Sequence, residues 1–540
     1  METFDYVIVG AGPAGCVLAN RLSADTSKRV LLLESGPRDN HPLIHMPKGI
    51  AKIREDSKYM WAFDVYRDRE SAKPYQSWMR GRTLGGSSAI NGMIYVRGQP
   101  ADYDELASLT SEDWNWAHIG AAFKALEQHS LSPTETRGTE GHLKVTTYPG
   151  DGGEETLMKA AIAAGGALGL DSREDVNEPD DQQKIGYTVR TIHAGKRQSA
   201  AVAFLRPVEQ RANLTVRTGV LVDRVVFQGN MAVGVEGVVD GKAERFHGRR
   251  IILSAGTMVS PAILQRSGVG PPGLLAHHGI ALVAPSAEVG ENMIEHTIFN
   301  MQWRAKGAFS NNPRYRGVGA MLSGMRYYFT RTGPLANAVL EVTGFFKTRP
   351  GLDRPDAQVL FGPHSFTDSA QRGRTAEKAP GFMVVPYPLR PRSKGQVQIV
   401  SREPAAMPRV NYDPFADAQD RRELIDGVRF VRKLVATPPL ADHALEETRP
   451  GAELQSDAQI LDALRRLSGP GFHAAGTCRM GADPQSVVDP MTRVRGAQNL
   501  HVVDLSISPI LTGGNTYGPT AAMAWRAADL IISLDRDPRV

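Results

Sequence analysis

The sequence predicts an α/β protein, α+β overall, in which a Rossmann-like dinucleotide-binding domain is joined to a second domain. Three observations predict it. A glycine turn, Gly10-Ala11-Gly12-Pro13-Ala14-Gly15, stands between two short apolar strands. The chain has 540 residues, more than one ordinary core can organise. Glycine is also abundant: 54 residues, against a typical share of roughly 7%. These glycines gather in short loops, which suits close backbone approach to a ligand better than low complexity.

The first element is Phe4-Asp5-Tyr6-Val7-Ile8-Val9, short, β-branched and bounded by glycine, hence a buried parallel strand. An apolar helix follows from about Ala14 to Leu22, then a strand Val30-Leu31-Leu32-Leu33 that ends at Glu34. In this setting each glycine has a task. Gly10 permits the tight turn, Gly12 lets backbone approach a pyrophosphate, and Gly15 lets the helix pack on the strand. The helix N-terminus offers unpaired N–H groups and partial positive charge to phosphate. Glu34 is placed to accept hydrogen bonds from a ribose diol, and its charge would repel the 2′-phosphate of NADP. The motif alone does not separate FAD from NAD.

Composition narrows the rest. Apolar residues make up 41% and charged residues 22%, as in ordinary globular proteins. Two cysteines, Cys16 and Cys478, make no disulfide framework and suit a reducing, cytoplasmic setting. A first strand at Phe4 leaves no room for a leader ahead of it, and no run of about 18 apolar residues occurs. The net charge of +5 is mild for this length, and no long Lys/Arg run marks a nucleic-acid partner. A basic face resting on an anionic membrane surface stays open. No histidine or cysteine spacing marks a metal site.

A second small-residue loop, Gly81-Arg82-Thr83-Leu84-Gly85-Gly86-Ser87-Ser88-Ala89-Ile90-Asn91, is expected to open into a helix capped by Ser87 or Ser88. Farther on, Ile251 to Gly256 reads as a strand. A helix with Pro261 near its start and Gly268 at its end follows.

At these two segments the sequence resembles the glucose–methanol–choline (GMC) oxidoreductase family. Gly81–Asn91, continuing to Asp104, looks like the family's first signature, and Gly256–Gly270 like its second. The stretch from Pro37 to Phe63 resembles the branch with choline, aliphatic-alcohol and polyglycol dehydrogenases. The resemblance implies FAD. By motif position Leu84, Gly85, Asn91, Gly92, Met93 and Ile94 lie along the flavin and its pyrophosphate. Val220 contacts the adenine, and Asp504 lies beside the flavin or its ribityl chain. Ile90 stands where some members carry a histidine bonded covalently to FAD, so dissociable FAD is expected.

The segment Phe472-His473-Ala474-Ala475-Gly476-Thr477-Cys478 resembles the family's active-site histidine motif, with His473 on the catalytic position. The loop Thr512–Thr520 matches the one with the second active-site residue, here Asn515, and Thr516 beside it is expected to contact the cofactor. Alcohol oxidation removes a hydroxyl proton, which a neutral imidazole can take, and a hydride, which passes to flavin N5. An amide at Asn515 can donate to the developing alkoxide. His41, His45 and His296 are read as structural, and Cys478 as a packed small residue.

Since one FAD must touch segments from Gly10 to Thr520, the FAD domain is expected to be discontinuous: 1–155, 190–298 and 468–540. A substrate-binding cap built on an antiparallel sheet then takes 156–189 and 299–467, with strands at 357–361 and 396–400 and a helix over 421–435. The apolar spacing from Val318 to Phe329 suits a helix, read as core in preference to a substrate entrance or membrane face. The expected activity is oxidation of a small-molecule alcohol to an aldehyde or ketone, with a quinone or other carrier as acceptor. The alternatives are an oxidase using oxygen, a cyanohydrin lyase on the same scaffold, a flavin photodecarboxylase, and a non-enzymatic flavin carrier.

Overall fold

The computed structural model describes residues 2–148, 155–307, 309–369 and 373–536. Residues 149–154, beside the first expected domain boundary, lie outside the described residues. The N-terminal unit forms as its sequence requires: β1 (Thr3–Val9), α1 (Pro13–Leu22) and β2 (Val30–Glu34). β1 and β2 pair in parallel, Val7 against Leu31 and Val9 against Leu33. Both faces of the pair are covered, so Val7, Ile8, Leu32 and Leu33 are all buried. β3 (Leu214–Thr218) extends the sheet beyond β2.

Between β3 and the central strand the chain makes an antiparallel meander that the motifs do not signal. β4 (Val220–Gln228) pairs with β5 (Met231–Val239), and β5 with β6 (Lys242–Leu253), which then lies parallel to β1. The turn into β6 is Asp240-Gly241, both with positive φ, as a two-residue hairpin demands. The sheet order is β3-β2-β1-β6-β5-β4, with Leu500–Val502 added in parallel to β6. α2 (Ser260–Arg266) follows, with Pro261 in its first turn, and Gly268 beyond its end has φ +84°.

A second seven-stranded sheet runs in the order Ala444–Arg449, Met301–Ala305, Gly381–Pro388, Ala357–Gly362, Val342–Phe346, Lys184–Tyr187, Asp171–Ser172. It is antiparallel except for its last pair. The strand expected at 357–361 is inside it. The one expected at 396–400 is not: Gln396–Gln398 joins Arg409–Asn411, Met60–Tyr66 and Gln76–Gly81 in a separate four-stranded sheet. Hydrogen bonds draw it there, since the Val397 N–H donates to Gly290 O and the Gln265 amide spans Val397 O and Ile399 N–H.

The helices show one agreement and two departures. α3 (Gly317–Thr330) is helical as its spacing predicts, but its apolar row is not core: Val318 is 68%, Tyr328 70% and Phe329 77% exposed. The helix rests instead on its small face. A Cβ at Gly319 would stand 2.0 Å from Pro313 O, and Ser323 and Tyr327 are its buried residues. α4 (Ala418–Val435) covers the region expected, with Asp417 as N-cap and Phe430 stacked on Phe346 of the second sheet. The helix expected after Gly81–Asn91 is only one 3₁₀ turn, Gly86–Ala89. Positive φ at Gly85, Gly86 and Met93 turns the chain back on itself. The Ser88 hydroxyl is used elsewhere, donating to Gly85 O and accepting from Ala200 N–H.

α5 (Tyr517–Arg536) closes the chain against α1. Cys16 and Cys478 are buried free thiols. Among the described residues no helix is long and apolar enough to cross a membrane.

Candidate active site

One cavity of about 500 Å³ is lined by Gly10, Gly12 and Glu34 at one end and by His473 and Asn515 at the other. Asn91, Gly92, Met93, Ile94, Val220, Asp504 and Thr516 also line it. Gly15, Leu84 and Gly85 stand behind the wall. A Cβ at Gly15 would meet Gly10 O at 1.9 Å, so Gly15 sets how closely α1 approaches β1. The Gly85 N–H donates to Ala11 O and holds the second glycine loop on the first, while Leu84 is packed in the core.

The nucleotide end suits a dinucleotide on structural grounds. A Cβ at Gly10 would lie 2.5 Å from Ser254 O, so the turn is tight. At Gly12 nothing lies within 4 Å of the same added atom, so this backbone faces open space. α1 begins there without a side-chain cap, which leaves its first N–H groups for phosphate. The Glu34 carboxyl accepts from Ala11 N–H at 2.9 Å on Oε2, and from Gly36 N–H at 2.8 Å and the Ser35 hydroxyl at 3.3 Å on Oε1, leaving a further lone pair on Oε2 for a diol. Burial raises its pKa against those bonds. Asp504 fixes the opposite wall, accepting from Gly256 N–H at 2.9 Å, the Ser260 hydroxyl at 2.6 Å and Ser506 N–H at 2.8 Å.

Sequence reasoning missed the anchor of the second glycine loop. Arg197 is buried and donates to Asn91 Oδ1 at 2.6 Å, Asn91 O at 2.7 Å and Ile44 O at 2.9 Å. Burial lowers its pKa to about 9. One guanidinium thus ties the Ile44 and Asn91 segments to its own, a use of the five-donor fork that no local motif announces.

At the reacting end, His473 sits on backbone that is hard to form. Phe472 has φ +65°, a conformation costing a non-glycine residue about 1–3 kcal/mol. Gly471 precedes it, and a Cβ there would press on His296 Cβ and His473 Nδ1, both at 3.0 Å. The His473 N–H donates to the buried Glu295 carboxyl at 2.6 Å. The Thr257 hydroxyl donates to Ala474 O and the Thr477 hydroxyl to Thr257 O, both at 2.7 Å, which ties the histidine motif to the second signature.

The proton positions on the two rings follow from a carbonyl. His296 Nε2 is 2.8 Å from Leu389 O, which only accepts, so Nε2 carries hydrogen. Burial lowers the His296 pKa to about 4, so the ring is neutral and its Nδ1 is a bare acceptor. His473 Nδ1 lies 2.9 Å from that atom and must donate to it. His473 Nε2 therefore carries no hydrogen, and its lone pair accepts from the Asn515 amide N–H at 3.3 Å. Burial, then His296 and Arg80, hold the His473 pKa well below its ordinary value. His296, read as structural from sequence, is thus a direct partner of His473.

Asn515 is oriented from the second sheet. The Gln358 amide N–H reaches Asn515 Oδ1 at 3.4 Å, and the Tyr387 hydroxyl donates to Gln358 Oε1. Burial raises the Tyr387 pKa, so that hydroxyl stays protonated. Gly514, at φ +144°, could not carry a side chain, since Val96 Cγ1 lies 2.4 Å from its Cβ position. Tyr387, Gln358, Glu295 and His296 had no signal in the sequence beyond standing near motifs or in strands.

A cavity joining a Rossmann glycine turn to a buried imidazole defines a dinucleotide-dependent redox enzyme class. The chain belongs to the GMC oxidoreductase family and is an FAD-dependent oxidoreductase: the family's N-terminal pattern matches residues 4–298 and its C-terminal pattern residues 391–524. The chain is 38% identical to an alcohol dehydrogenase [acceptor] of Pseudomonas putida over 98% of this chain and 96% of that one. It is 36% identical to mitochondrial choline dehydrogenase of Homo sapiens, over 98% and 90%. Its fold matches the crystal structure of pyridoxine 4-oxidase from Mesorbium loti with a TM-score of 0.87, at 29% identity over 98% and 99% of the two chains.

Proposed function

We propose that this enzyme oxidises a neutral, apolar-bodied alcohol to an aldehyde or ketone, with His473 as the base and Asn515 as its partner. The observation carrying the reading is the unprotonated Nε2 of His473, at the cavity wall, fixed in that tautomer by His296 and Leu389 O and accepting from the Asn515 amide, whose place an alcohol hydroxyl would share. Bound FAD supplies the two-electron acceptor for the carbinol hydride. The protein's own part is the proton and the alignment. His473 Nε2 takes the hydroxyl proton, and because its pKa is depressed it is in the neutral form across the physiological range. The Asn515 amide donates to the oxygen as charge develops there. Gly10, Gly12 and the α1 N-terminus would hold the pyrophosphate and Glu34 the ribose, while Met93, Ile94, Asp504 and Thr516 would line the flavin. Ile90, also in the wall, has no nucleophile, which supports non-covalent binding.

The substrate class follows from the remaining wall. Trp61, Val339, Leu340, Leu360, Phe366 and Met383 supply apolar surface. The carboxylates lining the cavity among the described residues, Glu34 and Asp504, are already taken up by backbone and hydroxyl donors. Both carboxylates stand on the cofactor side in this reading, Glu34 for the ribose and Asp504 for the flavin, so we favour a neutral alcohol; the Trp61, Phe63 and Phe366 rings are what would hold a quaternary ammonium, and choline is the comparison substrate. For the acceptor we favour a quinone or other non-oxygen carrier, supported by the name of the 38% identical dehydrogenase. The test is anaerobic mixing of the holoenzyme with a panel of aliphatic, polyglycol and aromatic alcohols. Bleaching of the yellow flavin is expected, and its absence across the panel would sink the reading. Turnover with a dye acceptor should exceed turnover with oxygen; the reverse would make the enzyme an oxidase.

A further inference from the structure

Half of the large apolar side chains exposed among the described residues lie on one helix, α3. Val318, Met321, Leu322, Met325, Tyr328 and Phe329 form a single row at spacings of three, four and seven, between 43% and 77% exposed. Such a row normally faces core. Here the buried side of the helix is already occupied, by Ser323 and Tyr327, with Gly319 against Pro313. Scattered apolar residues on a surface need no explanation, but a contiguous row does.

The charge around this helix identifies what covers it. Between Glu295 and Glu341 the chain contains no carboxylate and six cations: Arg304, Lys306, Arg314, Arg316, Arg326 and Arg331. That one segment carries more positive charge than the whole chain's net +5. Arg314 and Arg316 precede the helix, Arg326 is within it and Arg331 ends it, so basic groups border an apolar row with aromatic residues at its C-terminal end. A second copy of this chain would bring the same cations face to face, and like charges oppose that pairing. An anionic lipid surface offers both an apolar layer for the row and phosphates for the rim.

We propose that α3 docks this enzyme on membranes containing anionic phospholipid, with the helix axis in the plane of the surface. The position suits the chemistry. Tyr327, on the buried side of α3, donates to Gly195 O at 3.0 Å, two residues from the Arg197 that holds Asn91 in the cavity wall. An apolar alcohol or acceptor dissolved in the bilayer would thus be presented beside the cavity.

The test is co-sedimentation of full-length holoenzyme with vesicles of phosphatidylcholine alone or mixed with phosphatidylglycerol. Pelleting with the mixed vesicles is expected, weaker by about tenfold or more on phosphatidylcholine alone or in high salt. The Leu322→Gln/Phe329→Gln variant should keep its flavin colour and its flavin reduction by alcohol, yet lose vesicle binding by about tenfold or more. Arg326→Gln/Arg331→Gln should weaken binding and flatten its salt dependence. The proposal falls if wild-type enzyme stays in the supernatant with anionic vesicles, or if the Leu322/Phe329 variant pellets as wild type does. It also falls if velocity sedimentation without lipid shows a dimer that this variant dissociates, since a second copy would then cover the row.

Discussion

The two seven-stranded sheets serve the same cavity by different means. The β1-centred sheet works through its backbone: a tight turn at Gly10, close helix–strand approach at Gly15, an open helix end at Gly12, and small residues wherever chain must approach chain. The second sheet works through side chains. Gln358 and Tyr387, on adjacent strands, reach across to fix Asn515, and Leu360, Met383 and Val385 line the cavity. In the first sheet's turn a Cβ at Gly10 or Gly15 would collide with backbone, whereas the second sheet meets the cavity through side chains. On the proposed reading, main-chain geometry holds the cofactor and side chains choose the alcohol.

The contrast can be broken in four places, beginning with the largest effect. Gly15→Val should leave almost no flavin-loaded protein, because its side chain would occupy the place of Gly10 O. Absorbance and cofactor content of the purified protein check this, and a fully yellow variant would remove the geometric argument. His473→Ala should keep FAD yet slow anaerobic flavin reduction by about 10²-fold or more. Asn515→Ala should follow at about 10²-fold, because the amide acts mainly as charge develops. Gln358→Leu, in the second sheet, should cost only about tenfold, since it loosens the Asn515 amide without removing it. A Gln358 effect as large as that of His473 would erase the distinction between the sheets.

The smallest effect is a pH dependence. Burial pushes the Glu295 pKa up to about 7, against the pull of Arg80 and of backbone N–H groups. A carboxyl whose folded pKa is raised keeps its proton where the unfolded chain has lost it. Stability from this group is full below its ordinary range and is lost as pH rises toward 7. Glu295→Gln cannot titrate, so the wild-type melting temperature should fall relative to the variant between about pH 5 and pH 7. Parallel melting curves would contradict the assignment.

What the sequence disclosed follows the same division. β1, α1, β2 and the roles of Gly10, Gly12 and Gly15 are legible because a backbone constraint leaves a residue type at a fixed spacing. The 3₁₀ turn at Gly86 was misread because small residues and serines suit a capped helix equally well, and only the tertiary hold of Arg197 decides. The row on α3 was read as core because apolar periodicity reports a helix face, not what lies against it. The strand expected at 396–400 forms over Gln396–Gln398, but its sheet is not legible, since Gln265 and Gly290, far off in sequence, choose its neighbours. His296 reads as structural because one histidine beside a glutamate carries no spacing signal. Its meaning appears only when residue 473 is brought 2.9 Å from it.

The cavity wall is drawn from residues 9 to 520. The two ends of the gene are therefore interdependent in the finished protein: the glycine cradle is encoded first, yet Asp504 closes the wall behind Gly256 and Ser260, and α5 packs on α1. A message cut short before Asp504 would lack that closure, so the part that grips nucleotide has no complete form apart from the part that handles protons.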